Sequence, residues 1–282
     1  MAGRRPKVLV IGVDGARADT MEQVARRPGS ALGALVRAGA WSFAARTVPI
    51  TSSAPAWASA LTGTTIAKHG IRDDTFAPHR LDAFPHFFTR IRRAAPARKI
   101  ASIVNWAPIH AHLLPPGDAD VVEEHPADAR VCARAVELLR CDPDLDALFV
   151  HLDAVDRWGH RTGYTSWNPC YRRAAVGADR MIGAMTAALA ERRTRRDEDW
   201  LVVSLSDHGG RWFGHGGDHP STRTVHFVVA GDGVARGRFA RPPSVMDLAP
   251  TCLDHLGVAV EPGWGLDGAV LRRAARETSL DG

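Results

Sequence analysis

Five short apolar runs, rich in β-branched residues and separated by stretches of helical periodicity, constrain the fold more than any other feature. They are VLVIGV (8–13), KIASIV (99–104), ALFVHL (147–152), WLVVSLS (200–206) and VHFVVAG (225–231). Largely unbroken by polar residues, such runs suit strands buried on both faces. Amphipathic helical candidates fall at 17–38, 54–62, 84–95, 127–140, 165–193 and 245–256. This alternation predicts an α/β fold, with a mostly parallel central sheet and helices on both faces. A chain of 282 residues with 45% hydrophobic content can bury a large core. One domain over 1–282 is therefore expected, with room for a small cap within 72–144.

The formal net charge of +5 favours an anionic partner. Nucleic acid is the weaker reading, because the arginines are scattered in pairs beginning at 4, 26, 92, 172 and 272. Only ERRTRR (191–196) is dense, and the DED that follows it suggests a solvated helix end. Cys132, Cys141, Cys170 and Cys252 show neither CxxC spacing nor the density of a disulfide framework, which fits a reducing compartment. The N-terminal VLVIGV is cut by Asp14 and lacks a small-residue cleavage site, so it reads as a strand rather than a signal peptide. No apolar stretch reaches the roughly 18 residues of a membrane span. A cytoplasmic protein, with no membrane partner and an open oligomeric state, is the expectation.

Acidic and imidazole residues fall where the strands end. Asp14 follows the first run, Asp153 and Asp156 the third, and Asp207 and His208 the fourth. The carboxyl ends of strands in an open α/β sheet form the ligand crevice, so these groups could converge on a metal site. DRWGH (156–160) places a carboxylate four residues from an imidazole, which could share one ion across a tight turn eased by Gly159. SDHGG (206–210) and GHGG (214–217) add Asp207, His208 and His215. Asp14, Asp156, His160, Asp207, His208 and His215 are more ligands than one tetrahedral zinc needs, so two divalent metals are implied if all bind. Imidazole beside carboxylate favours zinc, with manganese as the alternative.

The ordered set VLVIGVDGAR, APAWASALTG, KHGIRDD, DRWGH, SDHGG, GHGG, TRTVHFVVAGDGV and SVMDLAPTCLDHLG resembles the alkaline phosphatase superfamily along nearly the whole chain. It is most similar to the type I phosphodiesterase and nucleotide pyrophosphatase branch. The resemblance implies one metal held by Asp156, His160 and His215, and another by Asp14, Asp207 and His208. Counting back nine residues from the Thr62–Gly63 pair, with Pro55 in place, it also implies Ser53 as a nucleophile that the second metal touches. As a plain alternative, Ser53 caps a helix, since serine is favoured there and proline suits the first turn. The implied function is a metal-dependent phosphohydrolase that cleaves a phosphodiester, pyrophosphate or related bond of a small anionic substrate through a phosphoserine. The alternatives are a phosphomonoesterase and a non-catalytic, metal-stabilised binding module.

Two departures matter. Nucleotide pyrophosphatases of the branch usually carry Asn three residues after the nucleophile, where this chain has Ala56. Sulfatases of the superfamily use a Cys or Ser, x, Pro, x, Arg pattern, whereas SAPAW ends in Trp57. Trp57 suits the core or a stacking role. His215 is preferred over His219 within HGGDH, Asp74 and Asp153 are candidate supports for the ligands, and Trp106 and His110 are candidates for a specificity wall.

Overall fold

The computed structural model describes residues 3–271. Strand β1 (Arg5–Val13) divides its side chains between two cores, as a period of two requires. Val8 and Val10 enter one core, and Leu9, Ile11 and Val13 the other. Two helices follow, α1 (Ala18–Ala25) and α2 (Ala31–Ala38), where the periodicity suggested one helix over 17–38. The break falls at Pro28–Gly29, and Ser30 restarts the helix by accepting a hydrogen bond from the Gly33 amide.

Strand β2 (Ala40–Arg46) leads through a loop to α3 (Ser53–Thr62), which Gly63 ends with φ 72°. Then come α4 (Ile66–His69), α5 (Phe87–Ala94), β3 (Lys99–Val104), β4 (Val121–Glu124) and α6 (Asp128–Cys141). The remaining elements are β5 (Leu145–Leu152), α7 (Ala154–Thr162), α8 (Pro169–Ala190), β6 (Glu198–Leu205), α9 (Pro220–Arg223), β7 (Thr224–Ala230), β8 (Gly237–Arg238) and α10 (Leu248–His255).

The strands form one sheet in the order β4-β3-β5-β1-β6-β7-β2-β8. Strands β4 through β6 are parallel, while β7 runs antiparallel to both β6 and β2. Residues of α3, α5 and α10 pack on one face, and those of α1, α2, α6 and α8 on the other. The expected α/β architecture is therefore the observed one. All five apolar runs are strands; β2, β4 and β8 carry no comparable run. Strand β2 is alanine-rich with a register shift between Ser42 and Ala45, and β4 and β8 are short.

Much of 72–144 belongs to the sheet and its flanking helices through α5, β3, β4 and α6. Its loops bring Phe76, Trp106 and His112 together: Phe76 stacks on His112 with ring centres 4.4 Å apart and meets Trp106 at 5.8 Å. The ERRTRR run departs from its expected solvated state at Arg192, which is buried and forks onto Glu198 with two contacts of 2.8 Å. Lys7 and the Trp200 indole reach the same carboxylate, at 3.1 and 2.7 Å. This satisfied buried cluster lies at the start of β1 and β6, away from their carboxyl ends.

Candidate active site

The site forms because β5, β1 and β6 are parallel neighbours at the centre of the sheet. Their register pairs Val13 with Leu152 and Gly12 with Leu205, so Asp14, Asp153 and Asp207 leave the sheet side by side. The Asp14 amide continues the ladder for one more bond, to the Leu152 carbonyl at 2.8 Å. Asp14 and Asp207 are fully buried, and carboxylates in that position require strong compensation.

Asp14 has it. One carboxylate oxygen accepts from the Trp57 indole and meets His151 Nε2, each at 2.9 Å; the other lies 3.4 Å from His208 Nε2. Burial works against its charge, but the His151 contact and the His208 and Trp57 partners hold the carboxyl below its usual range. Trp57 is therefore a core residue with a polar task. A Cβ on Gly12 would come within 2.3 Å of its ring, so this glycine makes the approach of the indole feasible.

Ser53 is the first residue of α3, with its Oγ 3.4 Å from Asp14 Oδ1 and 3.2 Å from His208 Nε2. The plain capping alternative places it wrongly, since Ser52 holds the cap position. Asp74, a candidate support for an imidazole, instead accepts from the Ala54 amide at 3.3 Å and so steadies the helix start. Thr51 connects the loop before α3 to GHGG: its carbonyl meets His215 Nδ1 at 2.8 Å, and its hydroxyl bridges the Gly216 amide and Gly217 carbonyl, each at 2.9 Å.

DRWGH lies on α7 rather than in a tight turn, so one helical turn brings Asp156 and His160 together at 3.3 Å. His160 Nε2 meets His215 Nε2 at 2.9 Å, and His215 lies 3.7 Å from Asp156. His215 lies in this cluster, whereas His219 caps α9. Ligand atoms within 4.8 Å of one another occur in three groups: Asp156, His208 and His215; Asp14, Asp207 and His208; and Asp14, Asp153 and Asp156. His160 borders the first group, and Asp153 lies closer to the centre than its sequence position suggested.

This donor set fits divalent cations. Asp207 Oδ2 is buried with no hydrogen-bond partner. Burial and the charges of Asp14 and Asp156 push the Asp207 carboxyl well above its usual range, and burial with the Asp14 charge raises Asp153 to about 7. The Asp156 hydrogen bond lifts His160 to about 9, whereas burial and the His208 charge lower His215 to about 4. A positive ion among these oxygens would relieve the carboxylate repulsion and satisfy the orphaned oxygen.

No sequence motif marks the residues that support the cluster. The chain has only two tyrosines, Tyr164 and Tyr171, and both are buried behind the site with ring centres 5.6 Å apart. Tyr164 donates to Asp156 Oδ1 at 2.5 Å, while Tyr171 donates to the Gly15 carbonyl at 2.6 Å and accepts from the Arg17 amide at 2.9 Å. A Cβ on Gly159 or on Gly210 would come within 2.2 Å of the Tyr164 ring. Gly159 thus makes room for Tyr164 instead of easing a turn. Tyr164→Phe is expected to weaken cation binding about tenfold or more, as losses of ligand-orienting partners do; chelator competition checks this directly.

The family model for type I phosphodiesterase / nucleotide pyrophosphatase matches residues 8–96 and 94–211. The chain belongs to this family. As a family member of the alkaline phosphatase superfamily, it shares its fold with hydrolases of several specificities. A murine ectonucleotide pyrophosphatase / phosphodiesterase 5 superposes with a TM-score of 0.68 at 14% identity, covering 91% of this chain and 96% of the other. A 2-O GAG sulfatase gives 0.73 at 15% identity, covering 95% and 73%. A phosphonate monoester hydrolase from Silicibacter pomeroyi gives 0.67 at 17%, covering 95% and 76%. In sequence, 89 residues are 35% identical to choline-sulfatase of Rhizobium meliloti (strain 1021); the match spans 29% of this family member and 17% of that protein. Among the described residues, no helix is long and apolar enough to cross a membrane.

Proposed function

We propose that this chain is a two-metal phosphoric ester hydrolase that uses Ser53 as nucleophile on a small anionic phosphodiester, pyrophosphate or related compound. The observation that carries the reading is the position of the Ser53 hydroxyl, 3.4 and 3.2 Å from Asp14 and His208, inside a crowd of buried carboxylates and imidazoles. A binding module would not require a hydroxyl there. Asp14, Asp207 and His208 would hold one cation with Ser53 beside it, and Asp156, His160 and His215 the other. The mixed nitrogen and oxygen donors favour zinc, with manganese next. When bound, such cations withdraw charge from phosphoryl oxygens and favour the ionised hydroxyl.

Each residue then has a defined task. Ser53 Oγ gives its proton to solvent and attacks phosphorus as the bond to the leaving oxygen breaks, which forms a phosphoserine, and the leaving oxygen takes a proton from water to depart as the first alcohol or phosphate. Water cleaves the seryl phosphate from the vacated side and restores Ser53. Trp57 and His151 hold Asp14 in place throughout. Thr51 fixes the His215 ring through its carbonyl. Ala56 offers no side-chain donor to the phosphoryl group, so the site is not built for nucleotides in particular.

A sulfate ester is the competing substrate, favoured by the 35% identity to choline-sulfatase. Against it stands Trp57, which fills the arginine position of the sulfatase pattern, is buried, and offers only an indole N–H already bound to Asp14. Exposed thiols at Cys141 and Cys170 support a reducing, cytoplasmic setting. The test compares the full metal-loaded chain on an aryl phosphodiester, phosphomonoester and sulfate. Fastest Ser53-dependent turnover is expected on the diester; monoester preference would move the assignment to phosphatase, and sulfate preference would overturn it.

A further inference from the structure

Six large hydrophobic residues are exposed among the described residues: Val122, Trp158, Trp167, Trp212, Phe213 and Val260. Four are aromatic: Trp158 lies on α7 with His160, Trp167 in the connection before α8, and Trp212 and Phe213 in the run from His208 to His215. Trp212 and Phe213 are 72% and 63% exposed, which is unusual for large aromatics on a soluble domain.

This pair is built into the site rather than left on a loose loop. The Phe213 carbonyl meets His160 Nδ1 at 3.0 Å, and the Trp212 carbonyl accepts from the Tyr164 amide at 2.7 Å. Arg211 and Gly214 close the turn with amide-to-carbonyl bonds of 2.8 and 3.1 Å in the two directions. Within it Trp212 holds φ 56°, a conformation a bulky residue adopts only when its surroundings impose it. The Arg211 guanidinium sits 5.8 Å from the Trp212 ring centre, giving the outer edge positive charge.

We infer that Trp212 and Phe213 form a stacking platform for the leaving group, so that the substrate class is a phosphate ester whose departing alcohol carries an aromatic ring. The inference rests on the phosphohydrolase reading above. In-line displacement places the departing oxygen opposite Ser53. Ser53 lies on Asp14 and His208, so the leaving group faces the half of the site built from Asp156, His160 and His215, which the Trp212–Phe213 turn adjoins. A flat ring there gains contact with exposed aromatics that otherwise face water.

Two measurements on the full metal-loaded chain test it. The first is the kcat/KM ratio for phenyl over hexafluoroisopropyl phosphodiesters, whose leaving alcohols have similar acidity. The second is the affinity ratio of phenyl over methyl phosphate for Ser53→Ala protein, where no chemistry intervenes. Both ratios are expected to favour phenyl and to fall about tenfold in the Trp212→Ala/Phe213→Ala variant. Ratios that are unchanged by the substitutions overturn the platform. So does a variant that keeps both ratios yet no longer binds anionic phospholipid vesicles, which would make the aromatics a membrane contact. If no ester is turned over in a Ser53-dependent way, the phosphohydrolase reading fails, and the binding ratio still decides the platform.

Discussion

Ser53→Ala protein is expected to lose turnover by about a thousandfold or more while keeping its fold and its cation content, because a nucleophile acts as part of a unit whose loss is not made up by the rest. The structural basis is local. Ser53 begins α3, yet the helix does not depend on its hydroxyl, since Asp74 receives the Ala54 amide. Removing Oγ therefore deletes the contacts to Asp14 and His208 and little else. Steady-state rates on the preferred ester, with metal analysis and thermal unfolding of the same samples, check the expectation. Acid quenching of wild-type turnover should trap a phosphoryl adduct on the peptide containing Ser53. A variant that retains a tenth of the rate, or an adduct on another residue, would remove Ser53 from its role.

Loading the metal-free protein with zinc should raise its melting temperature by roughly 10 °C at a cation concentration about a thousand times Kd, from about 4 kcal/mol of linkage. The gain should grow as pH rises from acid to neutral. Burial and the Asp14 charge raise the Asp153 carboxyl to about 7, so its stabilising contribution to the metal-free fold is complete below the ordinary value of about 4 and is lost as pH rises toward 7. Asp207, raised by burial and by Asp14 and Asp156, works in the same direction. His160, lifted to about 9 chiefly by Asp156, contributes stability below its ordinary pKa of about 6.5 that disappears as pH climbs through 9. Asp14 has the opposite sign: its lowered pKa costs stability only as pH falls below the ordinary carboxylate value. Protons also compete with cations for His160 and the carboxylates, so binding weakens in acid. Calorimetry with and without chelator between pH 5 and 8 measures both effects. A thermal gain that stays flat or shrinks toward pH 8 would contradict this electrostatic picture.

Some of the site was legible in the chain because local order and global order coincide at strand ends. Asp14 follows β1 directly, Asp207 and His208 follow β6 after one residue, and parallel packing does the rest. Asp156 and His160 were legible as a pair, but their geometry was not, since a carboxylate and an imidazole four residues apart can meet in a turn or on a helix. The helix is α7, which starts two residues after β5 and packs against α8. Trp57 was ambiguous for a similar reason: its burial could be inferred, while its bond to Asp14 depends on a residue 43 positions away. Arg192 departs from its local signal because a dense basic run followed by acids has the pattern of a solvated segment, whereas tertiary packing buries one arginine against Glu198.

The sequence by itself determined five of the strands, most of the helical stretches between them and the acids and histidines at the strand ends, because apolar periodicity and residue type are local properties. Only the tertiary structure decided which groups touch. Strand order made β5, β1 and β6 neighbours, set Asp153 among the central carboxylates, aimed Tyr164 at Asp156 through space cleared by Gly159 and Gly210, and left Trp212 and Phe213 facing water beside His160. Such contacts join residues far apart in the chain, and their energies exist only once the layers have packed, so no local pattern encodes them.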